Sequence, residues 1–303
     1  MTRILDGKIL GGLGGLYRVL AEDGQVYRTR AKGALRRDEN RALVGDAVSL
    51  AVGDLPDDVV IRELKPRKNM LIRPPVSNLD TLFVVAAVTH PAPILSTLDK
   101  MTAILTHAGI SPVMVFTKSE LSDRETARLS SIYNKVGIPT FTVSAMQGDG
   151  LRPLSSYVEN VLAGGRSAAF AGASGVGKST LLNALFPSLA LETGDISARI
   201  ERGRHTTRAV ELFPLFGGYL ADTPGFSLLD FTRFDFFSLA DLPHTFPEFS
   251  PYLGRCRYAD CTHTKEEECA VRRAVAAGDI PESRFLSYRA IYDALKEKRP
   301  YDK

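Results

Sequence analysis

The chain is short of cysteine, tryptophan, charge of one sign and long apolar runs, and each shortage narrows the field. Only three cysteines, Cys256, Cys261 and Cys269, occur in 303 residues. An odd number crowded into one short segment is a poor disulfide framework and a better metal site. The absence of tryptophan carries no functional information. A formal net charge of +3 is too small to indicate a nucleic-acid partner by itself, so local clusters weigh more than the sum. No apolar run approaches the ~18 residues needed to cross a bilayer; the longest, such as Leu82–Val88, read as buried strands. The N-terminal residues Met1–Asp6 lack the apolar stretch of a secretion signal. A soluble, cytoplasmic chain with no membrane partner is expected.

What is present is a hydrophobic fraction of 44%, sufficient for a buried core, in a length that suits about two domains or slightly more. Residues 1–66 read as short strands: Leu16–Leu20 and Gln25–Arg30 flank a turn at Ala21–Gly24, and Val44–Leu50 and Val59–Ile61 follow. Such a series predicts a small barrel, with the OB-fold leading. Tyr27 alternates with Arg28 and Arg30, and Arg36, Arg37 and Arg41 come next. That is either a face for stacking bases and contacting phosphates or a plain solvated surface. A basic, proline-marked linker occupies 67–77, with Lys65 to Arg73 either touching a nucleic-acid backbone or solvated.

From Leu79 the texture changes. Leu82–Val88, Pro112–Phe116 and Thr140–Val143 are nearly continuous apolar runs, separated by helical stretches Ile94–His107 and Asp123–Val136. Ser122 is placed to cap the second helix, with Glu125 three positions on. Alternating strand and helix predict an α/β domain with a parallel sheet over 78–235.

Gly172-Ala173-Ser174-Gly175-Val176-Gly177-Lys178-Ser179-Thr180 matches the phosphate-loop pattern G-x4-G-K-[ST], with an apolar strand before it and a helix after it. Its glycines let successive backbone N–H groups turn toward phosphate oxygens at a helix N-terminus. Lys178 should reach the terminal phosphates, and the Ser179 hydroxyl should ligate Mg²⁺. A carboxylate further on is also required. Asp222, in Asp222-Thr223-Pro224-Gly225, supplies it, and the Gly225 N–H falls near the terminal phosphate. Between them runs Arg202–Arg208; of Thr206 and Thr207, one, Thr207 the candidate, is expected to join the Mg²⁺ shell only when the terminal phosphate is present. That makes the loop a switch.

A GTPase reads its base with N-K-x-D and S-A after consecutive strands. Nothing downstream of Asp222 fits. Upstream, Thr117-Lys118-Ser119-Glu120 ends one strand and Ser144-Ala145 ends the next. Both occupy strand C-termini, where α/β sheets bind ligands. Base recognition therefore precedes the phosphate site, which is a circular permutation. Glu120 keeps a carboxylate that accepts two hydrogen bonds adenine cannot offer. Thr117 keeps a hydroxyl without the amide's reach, so guanine preference with weaker affinity is expected; adenine nucleotide or weak discrimination is the alternative. After Gly225 stands Phe226, which cannot orient a water as a glutamine does. Slow intrinsic hydrolysis follows. His205, in the switch loop, is either the group that positions water or an exposed RNA contact.

The last segment, 236–303, is mostly helical in pattern. Cys256-x4-Cys261-x-His263-x5-Cys269 brings three thiolates and an imidazole together, the donor set of a closed, structural Zn²⁺ site. A redox thiol group is the alternative, although the spacing is not C-x-x-C.

The order Thr117-Lys118-x-Glu120, Ser144-Ala145, Gly172–Ser179, His205-Thr206-Thr207, Asp222–Gly225, flanked by the barrel and the cysteine cluster, resembles the RsgA/YjeQ family of circularly permuted, ribosome-dependent GTPases over nearly the whole chain. The resemblance implies an N-terminal OB-fold barrel (1–66), a linker (67–77), a permuted P-loop GTPase domain (78–235) and a mostly α zinc domain (236–303). It implies hydrolysis of GTP to GDP with Mg²⁺, one structural zinc, and His205 in a catalytic role. It also implies that a monomer binds the small ribosomal subunit and its rRNA late in maturation and leaves after hydrolysis. A scaffold whose nucleotide is only structural, and a large-subunit relative, are the competing readings. Arg255, Arg257, Lys265, Arg272 and Arg273 round the cysteines then face RNA, rather than water as the neighbouring glutamates would suggest.

Overall fold

The computed structural model describes residues 2–32, 41–55, 58–71, 75–187, 210–222 and 237–297. The chain divides into two compact units, one holding Met1–Leu82, Ser155–Phe170 and Ser188–Phe226, the other Phe83–Leu154, Ala171–Pro187 and Ser227–Lys303.

In the first unit, β1 (Arg3–Leu13), β2 (Leu16–Ala21), β3 (Val26–Ala31), β4 (Ala47–Val52) and β5 (Val59–Leu64) form the predicted barrel. β1 pairs antiparallel with both β2 and β4, β3 pairs parallel with β5, and β4 pairs antiparallel with β5, so the ring closes. The β1–β2 ladder carries a register shift between Ile9 and Gly11. Alternate residues Ile9, Val19, Val48, Leu50 and Ile61 are fully buried and fill the interior. Gly24 turns the β2–β3 hairpin with φ +80°, a value that costs glycine nothing.

Period 2 along β3 separates two groups that were expected to share a face. Arg28 and Arg30 are exposed, whereas Tyr27 falls in register with buried Thr29 and Ala31 and donates its hydroxyl to Asp23 at 2.8 Å. The basic residues after β5 are neither free nor merely solvated. Arg67 forks onto buried Asp46 at 2.6 and 2.7 Å, Lys65 pairs with Asp6 and Lys68 with Asp80. A two-stranded ladder, β6 (Met70–Leu71) with β7 (Val76–Ser77), follows. Arg36, Arg37 and Arg73 lie outside the described residues.

The α/β part begins with β8 (Thr81–Ala87) and alternates through α1 (Leu95–His107), β9 (Ser111–Thr117), α2 (Asp123–Lys135), β10 (Thr140–Val143), α3 (Leu151–Leu162), β11 (Ser167–Gly172) and α4 (Lys178–Leu185). β8 and β11 contribute residues to both units. Every residue of both strands is buried, which is why they read as unbroken apolar runs. The second unit carries the order β10-β9-β8, with β9 and β10 parallel. In the first, β11 pairs parallel with β13 (Gly218–Asp222), and β13 pairs antiparallel with β12 (Glu211–Leu215). Ser122 accepts from Glu125 N at 3.3 Å, the cap expected of α2.

The C-terminal region contains 3-10 turns at Leu242–Thr245 and Pro247–Phe249, then α5 (Ala270–Ala276) and α6 (Glu282–Glu297). Phe246, Phe249 and Tyr288 pack with ring centroids 4.8–5.4 Å apart, and Ala103 of α1 belongs to the same core. Among the described residues no helix is long and apolar enough to cross a membrane.

Candidate functional site

β11 delivers the chain to Gly172, where a Cβ would stand 2.5 Å from Val85 O; only glycine fits. Gly175 and Gly177 take φ +81° and +87°, and Gly177 sits at the N-cap of α4. The loop thus bends back on itself before the helix starts at Lys178. Val176 is buried, Ala173, Lys178 and Ser179 are half-buried, and Ser174 and Thr180 are exposed.

The base loop lies against this one. Thr117, 2% exposed at the end of β9, donates its hydroxyl to Val176 O, with Ala86 O at 3.4 Å. Lys118, at φ +58°, donates Nζ to Gly175 O at 2.8 Å and His90 O at 2.5 Å. The short hydroxyl thus reaches the phosphate loop's own backbone. Sequence reasoning missed this, since the partners are 57 and 59 positions away. Glu120 sits exposed in the turn Ser119–Leu121, outside the brace that occupies its neighbours. Ser144 is fully buried, and with Ala145 it opens a turn closed by Gln147 N on Ser144 Oγ at 3.1 Å and Gly148 N on Ser144 O at 2.8 Å. Asp222 ends β13. His205, Thr206, Thr207 and Gly225 lie outside the described residues.

Replacing Thr117 by valine deletes one hydroxyl at constant shape and strips a buried carbonyl of its donor, a cost of about 1–2 kcal/mol. GDP affinity is expected to fall roughly 5- to 30-fold, while the GDP-to-ADP preference is unchanged. Competitive titration with a fluorescent GDP analogue reads both quantities.

The cysteines and His263 also converge. Their four donor atoms lie within 4.8 Å of one another. Cys256 Sγ is 3.8 Å from Cys269 Sγ, and His263 Nδ1 is 3.5 and 3.4 Å from these two sulfurs. Zn–S bonds of about 2.3 Å in a tetrahedron put sulfurs about 3.8 Å apart, and sulfur and nitrogen about 3.5 Å. The set fits zinc. Burial pushes the Cys261 thiol up to about 12, raises Cys269 and lowers His263. Without a cation burial thus favours the neutral forms of Cys261, Cys269 and His263, and a divalent metal would displace thiol protons. Ala270 N adds a hydrogen bond to Cys256 Sγ at 3.3 Å.

Glu266 is not part of a solvated acidic run. Burial works against its charge, but the Thr262 hydroxyl and the backbone N–H groups of Glu266 itself, Thr262 and Lys265 hold its carboxyl down at about 2, and Thr264 N also donates to it at 3.1 Å. It shapes the loop that presents His263. Arg272 donates to Lys265 O and Glu266 O at 2.8 Å, exposed Arg257 pairs with Glu268, and Arg255, Lys265 and Arg273 of the expected collar are exposed as well.

A closed five-stranded barrel, an α/β domain with its base-loop strands ahead of its phosphate-loop strand, and a Cys3His cluster define a permuted P-loop GTPase with two flanking modules. The family model described as RsgA N-terminal domain matches residues 6–57, and that described as RsgA GTPase matches residues 64–232. The chain belongs to the RsgA family of GTPases. It is 39% identical to the small ribosomal subunit biogenesis GTPase RsgA of Geobacillus kaustophilus, over 97% of this chain and 99% of that one. The protein of the same name from Moorella thermoacetica is 42% identical over 94% and 95%. Among solved structures, YjeQ from Thermotoga maritima superposes with a TM-score of 0.81 at 32% identity, covering 98% of this chain and all of that one. YloQ, described as a circularly permuted GTPase, gives 0.78 at 30% identity, covering 98% and 97%.

Proposed function

We propose that this chain is a GTP phosphohydrolase that binds the small ribosomal subunit late in its maturation, is stimulated there, and leaves once GTP has become GDP and phosphate. The observation that carries the reading is the clasp between loops: Thr117 and Lys118 hold Val176 and Gly175 by their carbonyls, so a base loop and a phosphate loop meet in permuted order. The names of the relatives support the small subunit as target.

In this reading the backbone of Gly172–Thr180 wraps the phosphates and Lys178 neutralises charge that grows on the terminal phosphoryl oxygens. Ser179, Thr207 and Asp222 would hold Mg²⁺, which supplies charge stabilisation at those oxygens when bound. Glu120 accepts from the guanine edge, and Ser144-Ala145 closes the base pocket. Gly225 senses the terminal phosphate, Thr206 and Thr207 give the switch, and His205 orients the attacking water because Phe226 cannot. Cys256, Cys261, His263 and Cys269 hold one structural zinc. The chain acts as a cytoplasmic monomer, its barrel (1–66) and zinc region (236–303) both gripping rRNA, with the linker (67–77) and the GTPase domain (78–235) between them in sequence.

Co-sedimentation with purified subunits tests the cycle. Small subunits are expected to retain the protein with a non-hydrolysable GTP analogue and to lose most of it with GDP. Equal retention in both states would leave the nucleotide a structural role only.

A further inference from the structure

Arg284 carries its charge into the core of the second unit with 0% exposure. Its Nη1 donates to Asp99 Oδ1 at 2.8 Å and Thr102 Oγ1 at 2.9 Å, while Nε and Nη2 fork onto both oxygens of Glu248 at 2.7 and 3.2 Å. The guanidinium also lies 4.7 Å from the Phe246 ring centre. Burial opposes the cation, but Asp99 and Glu248 outweigh it and hold the group above its ordinary value. Asp99 is completed by Tyr133 Oη at 2.9 Å and Ser287 Oγ at 2.6 Å. One buried cation thereby joins α1, α2, the Pro247–Phe249 turn and α6.

The network has a chemical site at each end. Four residues beyond Arg284, on the same face of α6, Tyr288 donates its hydroxyl to Thr262 O at 2.7 Å, next to the ligand His263. Phe249, next to Glu248, meets the His263 ring edge-on at 6.4 Å. At the other end Tyr133 belongs to α2, and Lys135 of that helix reaches Gly278 O. The thirteen residues of α2 span about 20 Å. Its N-terminus follows directly on the base loop, with Thr126 Oγ1 donating to Ser119 O at 3.3 Å. The helix is thus held by the metal-binding module at one end and by the Thr117–Glu120 loop at the other.

We propose that this network makes the Cys/His centre and the guanine loop one thermodynamic unit. Loading the centre with zinc seats the Thr262–Cys269 loop under Tyr288, fixes Arg284 on Asp99 and, through Tyr133, sets α2 and the loop that carries Glu120. Zinc then tightens nucleotide binding, and nucleotide tightens zinc binding by the same factor. The proposal rests on Glu120 reading the base. Tyr133 is a positioning residue in it, touching neither ligand.

The test uses the full-length protein, stripped of metal by a chelator and reloaded with Zn²⁺, titrated with a fluorescent GDP analogue. Affinity is expected to fall about 5-fold or more on stripping and to return with zinc. Tyr133→Phe deletes only the hydroxyl on Asp99 and keeps the ring packed against Phe116 at 5.7 Å. It is expected to bind GDP with less than about 2-fold dependence on zinc, well under the usual coupling. The proposal is overturned by stripped wild type that keeps its helical circular dichroism and its GDP affinity, or by Tyr133→Phe with full zinc dependence. Unfolding of the whole chain on stripping also overturns it, because the link is then global stability. Glu120→Ala separates the two layers: if it leaves GDP-over-ADP preference intact, the base assignment fails. If preference is lost but zinc has no effect on wild type, the coupling alone fails.

Discussion

Lys178→Ala is expected to lower GTP hydrolysis at saturating nucleotide by about 10²–10³-fold, a loss of roughly 3–4 kcal/mol of transition-state stabilisation. The residue opens α4 directly after Gly177, at the end of a loop whose glycines take φ +81° and +87°. In the proposed reading its ammonium meets negative charge developing on the terminal phosphoryl group. The Thr117–Val176 and Lys118–Gly175 bonds do not involve its side chain, so loop shape and folding are expected to survive. Release from small subunits should slow in proportion. A Lys178→Ala protein that leaves subunits at the wild-type rate would show that hydrolysis is not what drives release.

Arg284→Met should destabilise the chain by about 3–5 kcal/mol, because removing one partner of a buried charge set strands the others. Asp99 and Glu248 would both lose their counter-ion, at 1% and 5% side-chain exposure. Methionine fills much of the volume, so the loss is electrostatic rather than a cavity. Denaturant unfolding read by circular dichroism measures it. Adding Asp99→Asn should return part of the loss, since neighbours in one network are not additive. If Arg284→Met alone costs less than about 1 kcal/mol, the ordinary range for a surface substitution or an exposed ion pair, the network is not what fastens α6 to α1.

The phosphate loop, each base motif and the Cys3His set were legible because each is local and chemically specific, and their permuted order followed from placing these local motifs along the chain. The barrel was legible from alternation and turn residues. What sequence left open involved partners far along the chain. The basic stretch after β5 read as a linker either touching nucleic acid or solvated, yet Arg67 closes on Asp46, 21 positions away, and Lys68 on Asp80. Tyr27 and Arg28 are adjacent in sequence and so must fall on opposite sides of a strand. Arg284 is surrounded in sequence by Phe285, Leu286 and Tyr288 and meets Asp99 across 185 positions. Its only local signal is a charge on the apolar face of α6. Thr117 looked like a weakened base contact because its partner, Val176 O, is a backbone atom that no motif displays.

The central claim is that this fold turns over GTP in answer to the small ribosomal subunit. The direct test is phosphate release by the purified protein alone, with small subunits and with large subunits. The account predicts slow release alone, strong stimulation by small subunits and none by large ones, with His205→Ala losing the stimulated rate. A rate near zero under all three conditions, or equal stimulation by both subunits, would contradict it.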